Sequence, residues 1–184
     1  MEICGERILH SNRWLVLKER VYRDTRGQEG HWAYAERPGR RQAVVVAART
    51  ARSNSLIVIE QFRVPFARAV LEFPAGLVDP GEDLAATALR ELEEETGYRG
   101  EVLAVGPEVT SSAGLATETV HLVEVRCAEE PAVSPRPDGS ESIRVLKIPP
   151  SGFAAVLERA AREELLLDAK LYIYLNAHQK EATC

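Results

Sequence analysis

Two uninterrupted apolar runs set the strongest constraint on how this chain can fold. Residues 43–47 read Ala-Val-Val-Val-Ala and residues 56–59 read Leu-Ile-Val-Ile, with the turn signal Ser-Asn-Ser at 53–55 between them. A strand with one solvated face alternates apolar and polar residues, whereas a continuous run is typical of a strand buried on both faces. We therefore expect a mixed sheet packed between helices, in the α/β or α+β class.

The rest of the chain supplies the other elements of such a fold. Further strands are predicted at residues 70–73, 102–105, 119–125 and 143–148. Helices are predicted at residues 82–96, 151–164 and 168–179, with Ser151 and Asp168 as N-caps. The first helix has acidic residues in its expected first turn and Gly97 just past its end, which are standard start and stop signals. Residues 129–142 hold three prolines and one glycine, and this composition predicts a loop.

The first forty residues differ in character from the rest. Residues 13–24 mix apolar and charged side chains as exposed strands do, residues 24–27 form a turn signal, and residues 31–34 predict a returning strand. Pro38-Gly39 then breaks the pattern. We expect a small antiparallel β lobe over residues 1–40 and a second domain over residues 41–184.

Charge and composition exclude several classes of protein. The net charge is −5, and residues 72–101 hold nine acids against two arginines, whereas nucleic-acid-binding domains are strongly basic. No apolar run approaches the roughly 18–20 residues that span a bilayer, and residues 1–7 lack the layout of a signal peptide. The three cysteines lie far apart without metal-like spacing, which favours free thiols in a reducing compartment. We expect a cytoplasmic protein with no nucleic-acid or membrane partner.

The acidic segment places like charges on one helical face. With 100° per residue, Glu94 and Glu95 lie within about 60° of Glu91. Like charges four residues apart repel, and only Arg90 is available to relieve them. A solvated charged face is the plain alternative, but a hard divalent cation bound by oxygen ligands accounts for the pattern better. The geometry predicts a metal-binding helix and nothing finer.

The spacing of this segment resembles the Nudix box of Nudix hydrolases. The matching positions, in their required order, are Gly76, Glu82, Arg90, Glu91, Leu92, Glu94, Glu95 and Gly97, with Tyr98 in place of the final aliphatic residue. The resemblance implies the Nudix fold, an α/β/α sandwich around a mixed sheet, over about residues 41–184. It also implies hydrolysis of a nucleoside diphosphate linked to another group, with Mg²⁺ or Mn²⁺ as the cofactor.

Flanking residues resemble the ADP-ribose pyrophosphatases within that family. The runs at 60–63 (Glu-Gln-Phe-Arg) and 71–79 (Leu-Glu-Phe-Pro-Ala-Gly-Leu-Val-Asp) are similar to the stretch before the box, and residues 165–172 are also similar. The resemblance implies cleavage of ADP-ribose to AMP and ribose 5-phosphate. Ala113 stands where many bacterial members carry a proline that separates substrate classes. UDP- or GDP-sugars therefore stay open as substrates, as does a catalytically inactive ligand-sensing module, although all the box glutamates are present.

The resemblance also assigns roles to the metal-site residues. Glu91 and Glu95 are implied metal ligands together with the Ala75 carbonyl oxygen, and Glu94 is implied to bind metal directly or through water. Arg90 is expected to orient these carboxylates. Gly76, just after Ala75, is expected to allow a tight turn that aims the Ala75 carbonyl inward.

Residues outside the box complete the expected site. Glu141, at the end of the proline-rich loop, is the candidate general base, and Glu118 is a weaker one. Trp14 and Trp32 are expected to stack on adenine, although aromatic residues in strands usually pack in cores. The other expected substrate-binding residues are Arg37, Gln61, Arg63 and Leu77. Because a lobe of about 40 residues cannot bury a sufficient core alone, we expect a homodimer that exchanges its N-terminal lobes, so that the two tryptophans reach one site from different chains.

Overall fold

The computed structural model describes residues 1–39, 42–136, 142–162 and 164–178, and its strands form two sheets. The strands are β1 (Glu2–Ser11), β2 (Val16–Arg23), β3 (Glu29–Glu36), β4 (Ala43–Thr50), β5 (Leu56–Arg63), β6 (Arg68–Glu72), β7 (Ala75–Leu77), β8 (Gly100–Thr110), β9 (Thr119–Cys127), β10 (Ile143–Ile148) and β11 (Leu166–Leu167). The helices are α1 (Leu84–Thr96), α2 (Phe153–Ala161) and α3 (Ala169–His178), with short 3-10 turns at Val64–Phe66 and Pro150–Gly152. In these described ranges no helix is long and apolar enough to cross a membrane.

The larger sheet is mixed, as the sequence predicts. Its strand order is β11-β6-β5-β4-β9-β8, with β10 also paired to β5 and β7 paired to β4. The β4–β9 and β6–β11 pairs are parallel and the other pairs are antiparallel. The expected α/β/α arrangement is confirmed, because helices cover both faces of this sheet.

Strand β4 shows why a continuous apolar run was required. Val45 and Ala47 pack in one core with residues of α2 and α3, such as Phe153 and Leu171. Val44, Val46 and Ala48, which point to the opposite face, pack in a second core with Ala88 and Leu92 of α1, and all five of these side chains are fully buried. A polar residue at any of these positions would be buried without water.

The cap residues correct two details of the sequence analysis. Helix α1 begins after Asp83, whose Oδ1 accepts hydrogen bonds from the backbone N–H groups of Ala85 and Ala86 at 2.8 and 3.3 Å. The expectation of acids in the first turn is therefore wrong, because Asp83 is the cap and Glu82 precedes the helix. Ser151 as a cap is also wrong, because the 3-10 turn at Pro150–Gly152 runs directly into α2. Asp168 does accept a hydrogen bond, of 2.9 Å, from Lys170 N–H at the start of α3.

The N-terminal sheet has the order β1-β2-β3 and is antiparallel throughout. The sequence analysis missed β1, because nearly all of its side chains are exposed and show no alternation. It also placed Trp14 in a strand, whereas Trp14 lies in the connection between β1 and β2. There the Asn12 side chain accepts hydrogen bonds from Trp14 and Leu15 N–H, and this turn interrupts the strand.

A split in the larger sheet positions the functional site. Strands β4 and β5 pair at only two positions, Ala48 with Ile57 and Arg49 with Leu56. Beyond that point β7 pairs with β4 and β6 pairs with β5, so that the chain from 72 to 75 crosses the opening between them. Strand β7, which contains Gly76, is short and packs against α1.

Candidate active site

The carboxylates of α1 lie against the backbone of β7. Glu95 is buried, with 6% of its surface exposed, and its Oε2 accepts a 3.0 Å hydrogen bond from Ala75 N–H. A Cβ on Gly76 would overlap the carboxylate of Glu91, so only glycine leaves room for that group. The expected tight turn at Gly76 is wrong: Gly76 lies within β7 and is not among the residues with positive φ. The absence of a side chain at Gly76 leaves the Glu91 carboxylate its place beside β7.

Arg90 holds three carboxylates in place from the exposed side of α1. Its Nε and Nη2 atoms each donate a 3.1 Å hydrogen bond to the carboxylate of Glu82, and its Nη1 donates to Glu91 and Glu94 at 2.7 and 3.0 Å. This guanidinium lowers the pKa of Glu82 to about 2, and the facing carboxylates raise the pKa of Arg90. The arrangement matches the orienting role expected of Arg90, because forked hydrogen bonds fix direction as well as distance.

A cavity of about 680 Å³ opens over this arrangement at the split in the sheet. Box residues and β7 form one wall, and segments of β3–β4, β5–β6, β9 and α3 form the others. The charged residues that line it are Arg37, Arg63, Glu72, Asp79, Arg90, Glu91, Glu94, Glu95, Glu118, Arg136, Asp168 and Lys170. The sequence analysis identified Arg37, Arg63 and Leu77 as substrate-binding residues, and all three line the cavity.

Several basic side chains of the cavity are already paired with acids. Arg63 donates from Nε and Nη2 to both carboxylate oxygens of Glu72, at 2.7 and 3.0 Å. Arg37 forms an ion pair with Glu118, the weaker candidate base. Burial raises the pKa of Glu72, and the adjacent Arg63 opposes that rise. The cavity therefore holds alternating charges rather than a uniformly basic surface.

The donor set near Gly76 fits a hard divalent cation. Glu91, Glu94 and Glu95 offer only oxygen ligands, and the close approach of the helix to Ala75–Gly76 brings backbone atoms to them. In the described part of the chain no three Asp, Glu, His or Cys side chains lie close enough together to hold a metal ion by themselves. A cation at this position would thus need a further oxygen besides the carboxylates, which is the role expected of the Ala75 carbonyl.

Comparison with known proteins decides the family. The NUDIX domain model matches residues 39–151, a span that contains all of α1 and β7 and most of the cavity wall. The chain belongs to the NUDIX family. The box residues that resemble the family pattern are thus the same ones that the structure gathers beside Ala75 and Gly76.

Three proteins that are similar to this chain have names that refer to ADP-linked compounds. The chain is 33% identical to an ADP-sugar pyrophosphatase of Mus musculus, over 94% of this chain and 84% of the relative. It is 33% identical to an ADP-ribose pyrophosphatase of Saccharomyces cerevisiae, over 61% of this chain and 52% of that relative. A solved ADP compounds hydrolase superposes with a TM-score of 0.71 at 23% identity, covering 85% of this chain and 82% of the other, which shows the shared fold.

Two expected binding residues, the tryptophans, lie outside the cavity of this NUDIX chain. Trp14 and Trp32 do not pack in the core but expose 69% and 53% of their surfaces. Trp32 lies on β3 and donates from Nε1 to the Gly114 carbonyl at 3.0 Å. Neither tryptophan is among the described residues that line the cavity, so one chain does not bring them to the box carboxylates.

One further expected site residue, Gln61, is not at the cavity surface. Gln61 is buried on β5, and within the described chain its Oε1 has no hydrogen-bond partner. It does not line the cavity as described. Glu141, the candidate base, lies outside the described residues.

The structure adds cavity residues that the sequence analysis did not assign. They are Glu72, Asp79, Arg136, Asp168 and Lys170. Asp168 and Lys170 form a 2.8 Å ion pair at the start of α3, and the similarity of residues 165–172 to the family was a usable signal for them. No sequence signal marked Arg136, because arginine in a proline-rich loop is ordinary.

Proposed function

We propose that this NUDIX protein hydrolyses the diphosphate bond of ADP-ribose, giving AMP and ribose 5-phosphate, with Mg²⁺ as cofactor and Mn²⁺ as a substitute. The observation that carries the proposal is the contact of Glu91 with Gly76 and of Glu95 with Ala75 in the wall of a charged cavity that Glu94 also lines. The names of the Mus musculus and Saccharomyces cerevisiae relatives support an ADP-linked sugar as the substrate class.

Metal binding is assigned to Glu91, Glu95, Glu94 and the Ala75 carbonyl. The cation would neutralise phosphate charge and lower the pKa of an attacking water. Arg90 keeps Glu91 and Glu94 oriented through its 2.7 and 3.0 Å hydrogen bonds. This preorganisation avoids the cost of gathering like charges at each turnover.

Substrate binding is assigned to the basic side of the cavity and to the tryptophans. Arg37 and Arg63 bind phosphate oxygens, for which the guanidinium fork is suited, and Leu77 contacts the substrate from β7. Gln61 remains assigned to the same function. Glu141 remains our candidate for the general base.

A homodimer with exchanged N-terminal lobes is the proposed assembly. The N-terminal sheet leaves Ile3, Ile8, Trp14 and Trp32 more than half exposed. Exposed apolar groups of this kind mark surfaces that a partner covers. A second subunit would cover them, and the two tryptophans of one site would then come from different chains. The exposed free thiol of Cys4 suits a reducing compartment, so we propose a cytoplasmic enzyme.

A substrate panel tests the proposed activity. Phosphate release would be followed in the presence of added phosphatase, with ADP-ribose, other ADP-sugars, UDP-sugars and GDP-sugars. We expect the highest kcat/KM for ADP-ribose. A preference for a UDP- or GDP-sugar would show that the proposed substrate is wrong and the proposed reaction is right. No phosphate release from any of these compounds would contradict the proposed activity.

A further inference from the structure

The segment of residues 131–136, which we call the strap, is fastened to the end of helix α1. Ala132 and Val133 N–H both donate to the Gly97 carbonyl, at 2.8 and 3.2 Å, and Arg136 N–H donates to the Glu94 carbonyl at 2.7 Å. The last carbonyls of a helix lack partners within it, so the strap satisfies groups that would otherwise need water. The last of these hydrogen bonds joins the backbone of Arg136 directly to the backbone of the box residue Glu94.

Gly97 is what allows the strap to lie so close. Its φ of 76° is the left-handed conformation that ends α1. A Cβ at this position would also overlap the Val133 carbonyl oxygen and would lie 3.4 Å from the Pro131 Cβ. Gly97 therefore has two functions, to end the helix and to leave room for the strap, and the second links the box to residue 136.

The Arg136 side chain lines the active-site cavity from this strap. Four other basic residues line the same cavity, and each of them has a carboxylate partner. The pairs are Arg37 with Glu118, Arg63 with Glu72, Arg90 with the box glutamates, and Lys170 with Asp168. Within the described residues the Arg136 guanidinium has no hydrogen bond or ion pair, although its charge acts together with that of Arg99 to lower the pKa of Glu93. Arg136 can therefore contact a ligand without first releasing a hydrogen-bonded carboxylate.

We propose that Arg136 is a substrate-binding residue that contacts a phosphate oxygen of the nucleoside diphosphate from the α1 side of the cavity. A dianionic diphosphate must be held beside a cluster of carboxylates that repels it, and a guanidinium without a hydrogen-bonded carboxylate can offset that repulsion. The strap fixes the backbone of this arginine and so reduces the entropy lost when it binds. This inference rests on the proposed function.

The test compares Arg136→Met, which keeps the apolar stem and removes the charge, with Arg136→Lys and with Arg99→Met. Arg99 is the matched control, because it lies beside the same helix end and pairs with Glu93 but does not line the cavity. Steady-state kinetics on ADP-ribose would be combined with calorimetric binding of its non-hydrolysable α,β-methylene analogue and with melting temperatures.

For Arg136→Met we expect KM and the analogue's Kd to rise about tenfold or more, as for loss of a charged hydrogen bond, with kcat and melting temperature nearly unchanged. Arg136→Lys should recover part of the affinity, and Arg99→Met should bind like wild type. In addition, Gly97→Ala should raise KM in the wild-type background and add little to it in the Arg136→Met background, because both changes remove the same contact.

The possible failures separate this inference from the proposed function. If wild type hydrolyses ADP-ribose and Arg136→Met keeps the wild-type KM and Kd, the role of Arg136 is wrong and the function stands. A fall in kcat or melting temperature at unchanged KM would also overturn substrate contact and make the residue structural. If wild type neither binds the analogue nor hydrolyses ADP-ribose, both proposals fail together.

Discussion

The two sheets of this molecule are stabilised in different ways. In the larger sheet, β4 and β5 bury nearly every side chain between α1 on one face and α2 and α3 on the other. In the N-terminal sheet, β1 is almost wholly exposed and β2 is only half-buried. The larger sheet thus finds its covering layers within the chain, whereas the N-terminal sheet leaves apolar surface for something else to cover.

Charge is also used differently in the two regions. In the N-terminal sheet, Lys18 bridges Glu6 and Glu36 across strands at 3.2 and 2.7 Å, and the Tyr34 hydroxyl donates to Glu6. These pairs hold strands together. Against the larger sheet, helix α1 brings the carboxylates of Glu91, Glu94 and Glu95 to the cavity. Charged pairs thus join strands in the N-terminal sheet, whereas next to the larger sheet carboxylates gather at a cavity.

The largest expected effect lies at the cavity, on the helix α1 that covers the larger sheet. Glu95→Gln keeps the shape of the side chain but removes a ligand charge, so kcat should fall by about a thousandfold or more, which is about 4 kcal/mol of transition-state stabilisation. Glu93→Gln is the matched control on the same helix, because Glu93 pairs with Arg99 outside the cavity, and its kcat should be nearly that of wild type. Steady-state kinetics checks both. A Glu95→Gln enzyme with more than a tenth of wild-type kcat would contradict the ligand assignment.

The next effect tests the assembly role of the N-terminal sheet. Trp14→Ala and Trp32→Ala should each lower activity about tenfold, because stacking on a base is worth about 1–3 kcal/mol. Refolding an equal mixture of the two variants should restore roughly a quarter of wild-type activity. Half of the dimers are then mixed, and each mixed dimer has one intact site. Activity that stays at the level of the single variants, or a fully active monomer in sedimentation, would show that the lobes are not exchanged.

A third effect is the loss of stability of the N-terminal sheet at low pH. The Tyr34 hydroxyl and the Lys18 ammonium lower the pKa of Glu6 from 4.5 to about 2. Ionised Glu6 therefore stabilises the N-terminal sheet above pH 4.5, and this contribution is lost as the pH falls towards 2. Both tryptophans of the chain belong to this region, Trp32 on β3 and Trp14 in the connection between β1 and β2, so their fluorescence reports on it selectively. Glu6→Gln should remove part of the acid dependence of the fluorescence transition, whereas Glu2→Gln on the same strand should not. An unchanged acid profile in Glu6→Gln would contradict the role of this cluster.

The smallest effect concerns the thiols of the two regions. Burial in the larger sheet raises the pKa of Cys127 to about 11, whereas Cys4 is exposed on β1. In a Cys184→Ser background, one thiol per chain should react with a disulfide reagent at neutral pH, and two should react after unfolding. Adding Cys4→Ser should abolish the native reaction. Rapid reaction of Cys127 in the native protein would show that this core opens readily.

The same contrast explains what the sequence could predict. The strands at 43–47 and 56–59 were predicted correctly. Each run has apolar side chains on both faces of its strand, and these side chains require a covering layer on each face. The helix 84–96 was predicted to within two residues from its charge pattern and Gly97. Strand β1 was missed, because its pairing comes from backbone hydrogen bonds to β2 and leaves no burial pattern in its side chains.

The site was predictable to a similar degree. The fixed spacing of the box put Glu91, Glu94 and Glu95 on one helical face, and the structure places them there. The role of Gly76 was misjudged, because the sequence does not show that a neighbouring helix presses a carboxylate against it. Arg136 was missed, since its place in the cavity depends on the strap's hydrogen bonds to α1, which join residues far apart in sequence.

The central claim is that the carboxylates beside Ala75 and Gly76 form the metal centre of an ADP-ribose hydrolase. The most direct test is chromatography of the products formed from ADP-ribose by metal-free enzyme, before and after addition of Mg²⁺. The account predicts no turnover in the presence of a chelator, and equal amounts of AMP and ribose 5-phosphate once Mg²⁺ is in excess. Turnover that survives chelation, or no AMP with Mg²⁺ present, would contradict it.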